Sequence, residues 1–150
     1  ISDEDKKELL SNLLFFYTGN ARDSKKIFAE QKETIKNRRE ILDDLVEATN
    51  KGIEYLNSHS YDAFGKLLDD TWQIKKKFAT GVSNESIDKM YNLAVNNGAL
   101  GGKILGAGGG GFLLIYVPKD KQKKVRMAMH DYKEITFDME DNGSLIVYKD

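Results

Sequence analysis

Between Gly98 and Gly111 the chain runs Gly-Ala-Leu-Gly-Gly-Lys-Ile-Leu-Gly-Ala-Gly-Gly-Gly-Gly, and this stretch holds eight of the protein's 13 glycines. Without a Cβ, glycine lets backbone N–H groups come close to a ligand or to another loop. Its tolerance of positive φ can also turn successive N–H groups inward as an anion-binding nest. The guest that such a nest suits is a phosphate, and the candidate loop is Gly106, Ala107, Gly108, Gly109, Gly110 and Gly111. Lys103 would add a cation beside it, set against the plainer reading of a solvated lysine on the loop's shoulder. Arg22 carries the planar fork that suits bidentate contact with a sugar phosphate, the alternative being a surface arginine at a helix start.

Two familiar phosphate loops fail here. Gly106, Gly108 and Gly111 fit G-x-G-x-x-G, but that fingerprint must open a helix, and these residues run straight into the apolar segment Phe112 to Val117. A Walker loop needs four residues between its glycines and Ser or Thr after the lysine. Gly98 and Gly102 have three between them, and Lys103 is followed by Ile104. The remaining alternative is a tight turn in which glycine merely permits a close chain crossing.

Other candidates carry less. Lys75, Lys76 and Lys77 stand about 100° apart on a helix, so they cannot all face one ligand. They read as a solvated face with room for one lysine turned toward a substrate. Lys25 and Lys26, and the lysines from Lys119 to Lys124, read as solvated surface. Trp72 and Phe78 continue an apolar stripe and read as core, and His59 and His130 as surface residues. The absence of cysteine excludes disulfides and thiolate metal sites, and two separated histidines argue against a histidine-rich one.

The elements that must position the loop follow from periodicity. Leu13 to Tyr17 is a strand-sized apolar run. From Asn20 to about Asn57 the period is helical, as one long helix or two. Ser60 caps a helix carrying Phe64, Leu67, Leu68 and Trp72, closed by Gly81, and Ser83 caps another with Ile87, Met90, Tyr91 and Ala94. After the glycines come a strand at Phe112 to Val117, ended by Pro118, and a helix from about Lys119 to Asp131. Ile135, Phe137 and Met139 alternate as a further strand, and Asp141-Asn142-Gly143 turns into a hairpin partner, Leu145 to Tyr148. This order predicts a single α+β domain over residues 1–150: a four-stranded, mostly antiparallel sheet with helices on one face.

The 150 residues balance 23 basic against 24 acidic side chains, which argues against binding nucleic acid through a bulk positive field. No apolar run approaches the ~20 residues of a membrane span. The chain opens Ile1-Ser2-Asp3 with no initiator methionine and no signal-peptide pattern, and reads as a segment of a longer protein.

Gly101 to Phe112 closely resembles the third motif of the GHMP kinase superfamily, whose members include galactokinase, homoserine kinase and mevalonate kinase. Phe15-Phe16-Tyr17-Thr18-Gly19 with Arg22, Trp72 with Lys75-Lys76, and Ser83-Asn84 with Ile87-Asp88 resemble the branch acting on D-glycero-D-manno-heptose 7-phosphate. L-fucokinase domains are similar through the same segments. The resemblance implies the ferredoxin-like C-terminal domain of a cytoplasmic, ATP- and Mg²⁺-dependent sugar kinase. Its nucleotide loop, catalytic Asp and magnesium ligands would belong to an N-terminal domain that this chain lacks. No catalytic residue and no metal ligand is therefore expected here. The implied partners are that N-terminal domain and a small sugar phosphate, with Lys103 and Arg22 on the substrate.

Overall fold

In the computed structural model the described residues are 1–19, 24–37, 40–139, 143–146 and 148. Helix α1 (Asp3–Ser11) precedes the first strand, and periodicity missed it because its stripe is almost all polar. Its signal is a capping box: the Ser2 hydroxyl accepts from the Asp5 N–H, and the Asp5 carboxylate accepts from the Ser2 N–H at 2.9 Å. Strand β1 (Leu13–Tyr17) follows, then α2 (Ser24–Asn37), α3 (Glu40–Asn57), α4 (Tyr61–Lys76) and α5 (Glu85–Asn96). The cap of α5 is Asn84 rather than Ser83: its side chain accepts from the Ile87 N–H at 3.0 Å, while Ser83 donates to Asp88. The chain closes with β2 (Gly101–Ile104), β3 (Phe112–Tyr116) and α6 (Lys119–Ala128).

Among the described residues the sheet is antiparallel, as expected, but has three strands in the order β1-β3-β2 rather than four. The third strand is β2, which the sequence shows only as glycine loop. Of the two strands expected after α6, the first makes a single bridge, Phe16 to Glu134, with the Ile135 N–H donating to Phe15 O at 2.8 Å. The alternation of Ile135, Phe137 and Met139 reports an amphipathic extended segment instead, whose Phe137 ring sits 5.2 Å from Phe15. Of its expected hairpin partner, Leu145, Ile146 and Tyr148 are exposed and outside any strand, and Asp141, Asn142 and Val147 lie outside the described residues.

Register explains the core. Leu14 faces Ile115 and Phe16 faces Leu113, which also faces Ile104, so all five point to one side of the sheet and are buried. Ile27, Trp72, Val82, Ile87, Met90, Ala94, Val125 and Met129 close over them. Each large side chain so buried is worth roughly 1.5–3 kcal/mol.

Helices are not confined to that face. Helix α4 runs along β2, and a Cβ on Gly65 would enter the Tyr116 ring, which alternation places on the other side from Ile115. The approach is close because small residues meet there: a Cβ on Gly101 would strike the backbone of Gly65 and Asp69.

Candidate functional site

Residues 105–111 form the hairpin connection between β2 and β3, closed by the Leu105 N–H donating to Phe112 O at 2.9 Å. Four parts of the domain pin this loop. The Lys75 ammonium, at the last turn of α4, donates to Ile104 O at 3.3 Å and to Gly106 O at 2.5 Å. Gln31 of α2 donates to Ala107 O at 3.0 Å. Thr18, just past β1, gives both its N–H (2.9 Å) and its hydroxyl (3.0 Å) to Gly111 O. The Gly109 N–H donates to Val82 O, in the α4–α5 connection, at 2.6 Å.

Of the two sequence alternatives, the close chain crossing is met in this loop. At Gly108 a close crossing demands glycine: φ is +105°, and a Cβ would lie 2.8 Å from Val82 O and 2.9 Å from Val82 Cα. The Gly109 N–H is spent on the scaffold, so it is not offered to a ligand. The carbonyls of Ile104, Gly106, Ala107 and Gly111, however, are all taken by donors of the domain. These bonds fix the path of the loop and give its carbonyl dipoles partners within the domain.

Cations add to this. Lys103, half-buried on β2, stands near enough to Lys75 for its charge to act there. Burial first, and the Lys103 charge second, push the Lys75 ammonium down from 10.5 to about 8. The Lys75 ammonium is spent on the loop's own carbonyls, and Lys103 stays the candidate cation for a phosphate oxygen.

The open edge of β2 is capped on the same side. The Tyr91 hydroxyl accepts from the Gly102 N–H and donates to Asp69 at 2.6 Å. Burial and the Asp69 carboxylate push this phenol well above its ordinary value, so it stays a donor. Together with Lys75 on Ile104 O, this blocks an edge that would otherwise accept another strand.

Of the residues singled out from sequence, the structure brings Lys103 and Gly106 to Gly111 into one place. Arg22 lies outside the described residues. Lys75 is the lysine of its run that turns inward, and the signal was available: it continues Leu68 and Trp72 at helical steps of four and three. Lys76 instead lies 5.9 Å from the Trp72 ring centroid and 3.9 Å from Asp88. Thr18 was quoted only as part of a motif, and its bond to Gly111 joins that motif to the loop. Among the described residues no group of three or more His, Asp or Glu could hold a metal ion. Nor is any described helix long and apolar enough to cross a membrane.

Residues 53–134 match the family of GHMP kinases, C terminal. The D-glycero-alpha-D-manno-heptose 7-phosphate kinase of Campylobacter jejuni is 28% identical over 81% of this chain and 37% of its own length. The L-fucokinase/L-fucose-1-P guanylyltransferase of Bacteroides fragilis is 33% identical over 76% of this chain and 12% of its own. Among solved structures, the mevalonate kinase of Methanococcus jannaschii superposes with a TM-score of 0.72 at 25% identity, covering 90% of this chain and 42% of that one. The chain therefore spans well under half the length of these relatives. With the family match covering more than half of the chain, and the glycine hairpin, antiparallel sheet and flanking helices in place, the chain belongs to the GHMP kinases as their C-terminal domain.

Proposed function

We propose that this chain is the C-terminal domain of an ATP-dependent kinase that phosphorylates D-glycero-D-manno-heptose 7-phosphate at its anomeric oxygen. In that reaction the sugar hydroxyl oxygen bonds to the γ-phosphorus, the bond from that phosphorus to the bridging oxygen of ADP breaks, and the hydroxyl proton leaves to a base. Phosphoryl transfer is mostly positioning and charge stabilisation, so a domain without the base still contributes. ATP with Mg²⁺, the base and the nucleotide loop are assigned to an N-terminal domain of the cytoplasmic enzyme. The present domain supplies the glycine loop, with Lys103 and Arg22 on the substrate's phosphate.

The observation that carries this reading is the loop with its carbonyls tied into the domain beside Lys75 and Lys103. The Campylobacter jejuni relative supports the choice of substrate. The higher identity of the Bacteroides fragilis protein favours a second reading, a kinase of a free sugar such as L-fucose.

The test is ADP release by the intact protein with Mg-ATP across sugars and sugar phosphates. Turnover confined to the heptose 7-phosphate is the expected result. Turnover on a free sugar alone would move the assignment to the second reading, and none on any, from folded protein, would leave a ligand-binding module. An Arg22→Ala change is expected to weaken only a phosphorylated substrate.

A further inference from the structure

Resting on that reading of the loop, we infer that Lys75 is a positioning residue, whose ammonium staples the carbonyls of Ile104 and Gly106 and thereby sets where residues 106–111 stand. The two bonds hold the 104–105 and 106–107 peptide groups, which bracket the 105–106 peptide just past the end of β2. Gln31 of α2 holds the next carbonyl, Ala107 O. The path of the chain into the glycines is therefore set by one charged and one neutral side chain.

The described hydrogen bonds of Lys75 go to backbone carbonyls, and its pairing with a second ammonium opposes its charge rather than balancing it. The other charges nearby do not relieve this. Lys103 comes from β2, Lys76 and Asp88 face each other at 3.9 Å, and Glu30 of α2 accepts from the Thr80 N–H and hydroxyl. A half-buried cation without a carboxylate partner carries a cost, and such groups cluster where a function needs them. Deprotonation would leave an amine with fewer N–H donors and no charge, and the staple would loosen.

The consequence is kinetic. Losing the staple displaces the loop without removing a ligand contact, so kcat falls while KM changes little. A misplacement of about 1 Å costs up to about 100-fold. Arginine, always charged and with five donors, can cover both carbonyls.

The experiment compares wild type, Lys75→Met and Lys75→Arg in the intact protein by two readouts. The first, amide hydrogen exchange, needs no substrate. Exchange of residues 105–111 in Lys75→Met is expected to rise at least about tenfold over the rest of the domain, with arginine restoring protection. Unchanged exchange in the loop, or a rise spread evenly over the chain, overturns the inference. The second readout is steady-state kinetics on whichever sugar or sugar phosphate the intact protein turns over. A fall of about 10- to 100-fold in kcat at near-constant KM supports the inference, together with a wild-type loss of activity above about pH 8 that arginine abolishes. A rise in KM with kcat kept overturns it, because Lys75 would then be a ligand contact. If no substrate is turned over, the kinase reading fails and the exchange result alone decides the role of Lys75. Should Lys75→Met not fold, loop exchange in wild type, corrected for intrinsic rates, must rise through pH 8, and its failure to do so overturns the inference.

Discussion

Replacing Lys75 with methionine is expected to leave the domain about as stable as before at neutral pH, although two hydrogen bonds are lost. The ammonium is pushed down from 10.5 to about 8, chiefly by burial. At 1.36 kcal/mol per unit, that displacement is roughly 3.4 kcal/mol against the charged form in the folded state. Because the side chain is only half-buried, solvent screening reduces the figure to about 1–2 kcal/mol. The two bonds to carbonyls return about 0.5–1.5 kcal/mol each, so the terms nearly cancel. Between about pH 8 and 10.5 the unfolded chain holds this proton more tightly than the folded one, and stability therefore rises with pH across that window. The cost is present in full below pH 8, and methionine never carries it. Urea unfolding can be followed by the emission of Trp72, the chain's only tryptophan and fully buried. Between pH 7 and 9.5 the wild type should gain about 1 kcal/mol on Lys75→Met. Stopping at pH 9.5 keeps clear of Tyr91 and Tyr116, whose raised values make stability fall once unfolded tyrosines ionise near 10. Parallel profiles for the two proteins, or a loss above about 3 kcal/mol at pH 7, would refute the reasoning. Lys75 would then be an ordinary solvated lysine or a strut of the core.

Gly108→Ala should cost about 1–3 kcal/mol and displace the loop, since its φ of +105° and the Val82 backbone both oppose a Cβ. Chemical denaturation and loop exchange check it. Gly106→Ala, at φ +78° with open space around it, should cost only about 1 kcal/mol and serves as the control. Gly65→Ala should destabilise by about 1–3 kcal/mol through overpacking on Tyr116, read as a lower urea midpoint at unchanged slope. The Asp5 carboxyl is held well below the usual carboxylate range by Ser2 first, then Tyr61 and His59. Its contribution is present above pH 3.8 and lost as pH falls below it, so Asp5→Asn should flatten the acid limb of the melting profile. Finally, the 150-residue chain alone should release no ADP beyond background, and robust turnover would sink the division of labour proposed for it.

What the sequence made legible tracks how much side chain each element carries. Strands β1 and β3 and helices α4 and α5 announce themselves through large residues that must be hidden, and they lie within a few positions of where periodicity puts them. Strand β2 does not, because two of its four residues are glycine and leave no alternation to read. Those glycines are small for a reason seen only in three dimensions: α4 lies so close that Gly101 has no space for a Cβ, while at Gly102 the β3 backbone leaves none. Gly108 is small for another reason, the crossing of Val82, and the same letter therefore covers helix packing in one half of the motif and loop geometry in the other. The strand expected at Ile135 to Met139 is absent for the opposite cause. Ile135, Phe137 and Met139 do alternate, but Phe137 and Met139 stay exposed, and Phe137 meets the Phe15 ring without a ladder.

The same distinction bears on the site. Lys103 stands out in the sequence by its place inside the glycine run, whereas Lys75 sits within a run of three lysines. Yet the phase of α4 separates the three: the stripe that buries Trp72 carries Lys75 on toward the sheet, whereas Lys76 lies over the indole and Lys77 is exposed. A lysine on an apolar stripe is a contradiction that composition hides and helical phase exposes. Here the contradiction resolves into two carbonyls at the mouth of the loop. The charge stands where an apolar residue would fold at least as well, and that is the physical ground for assigning it to the placement of the loop rather than to the stability of the domain.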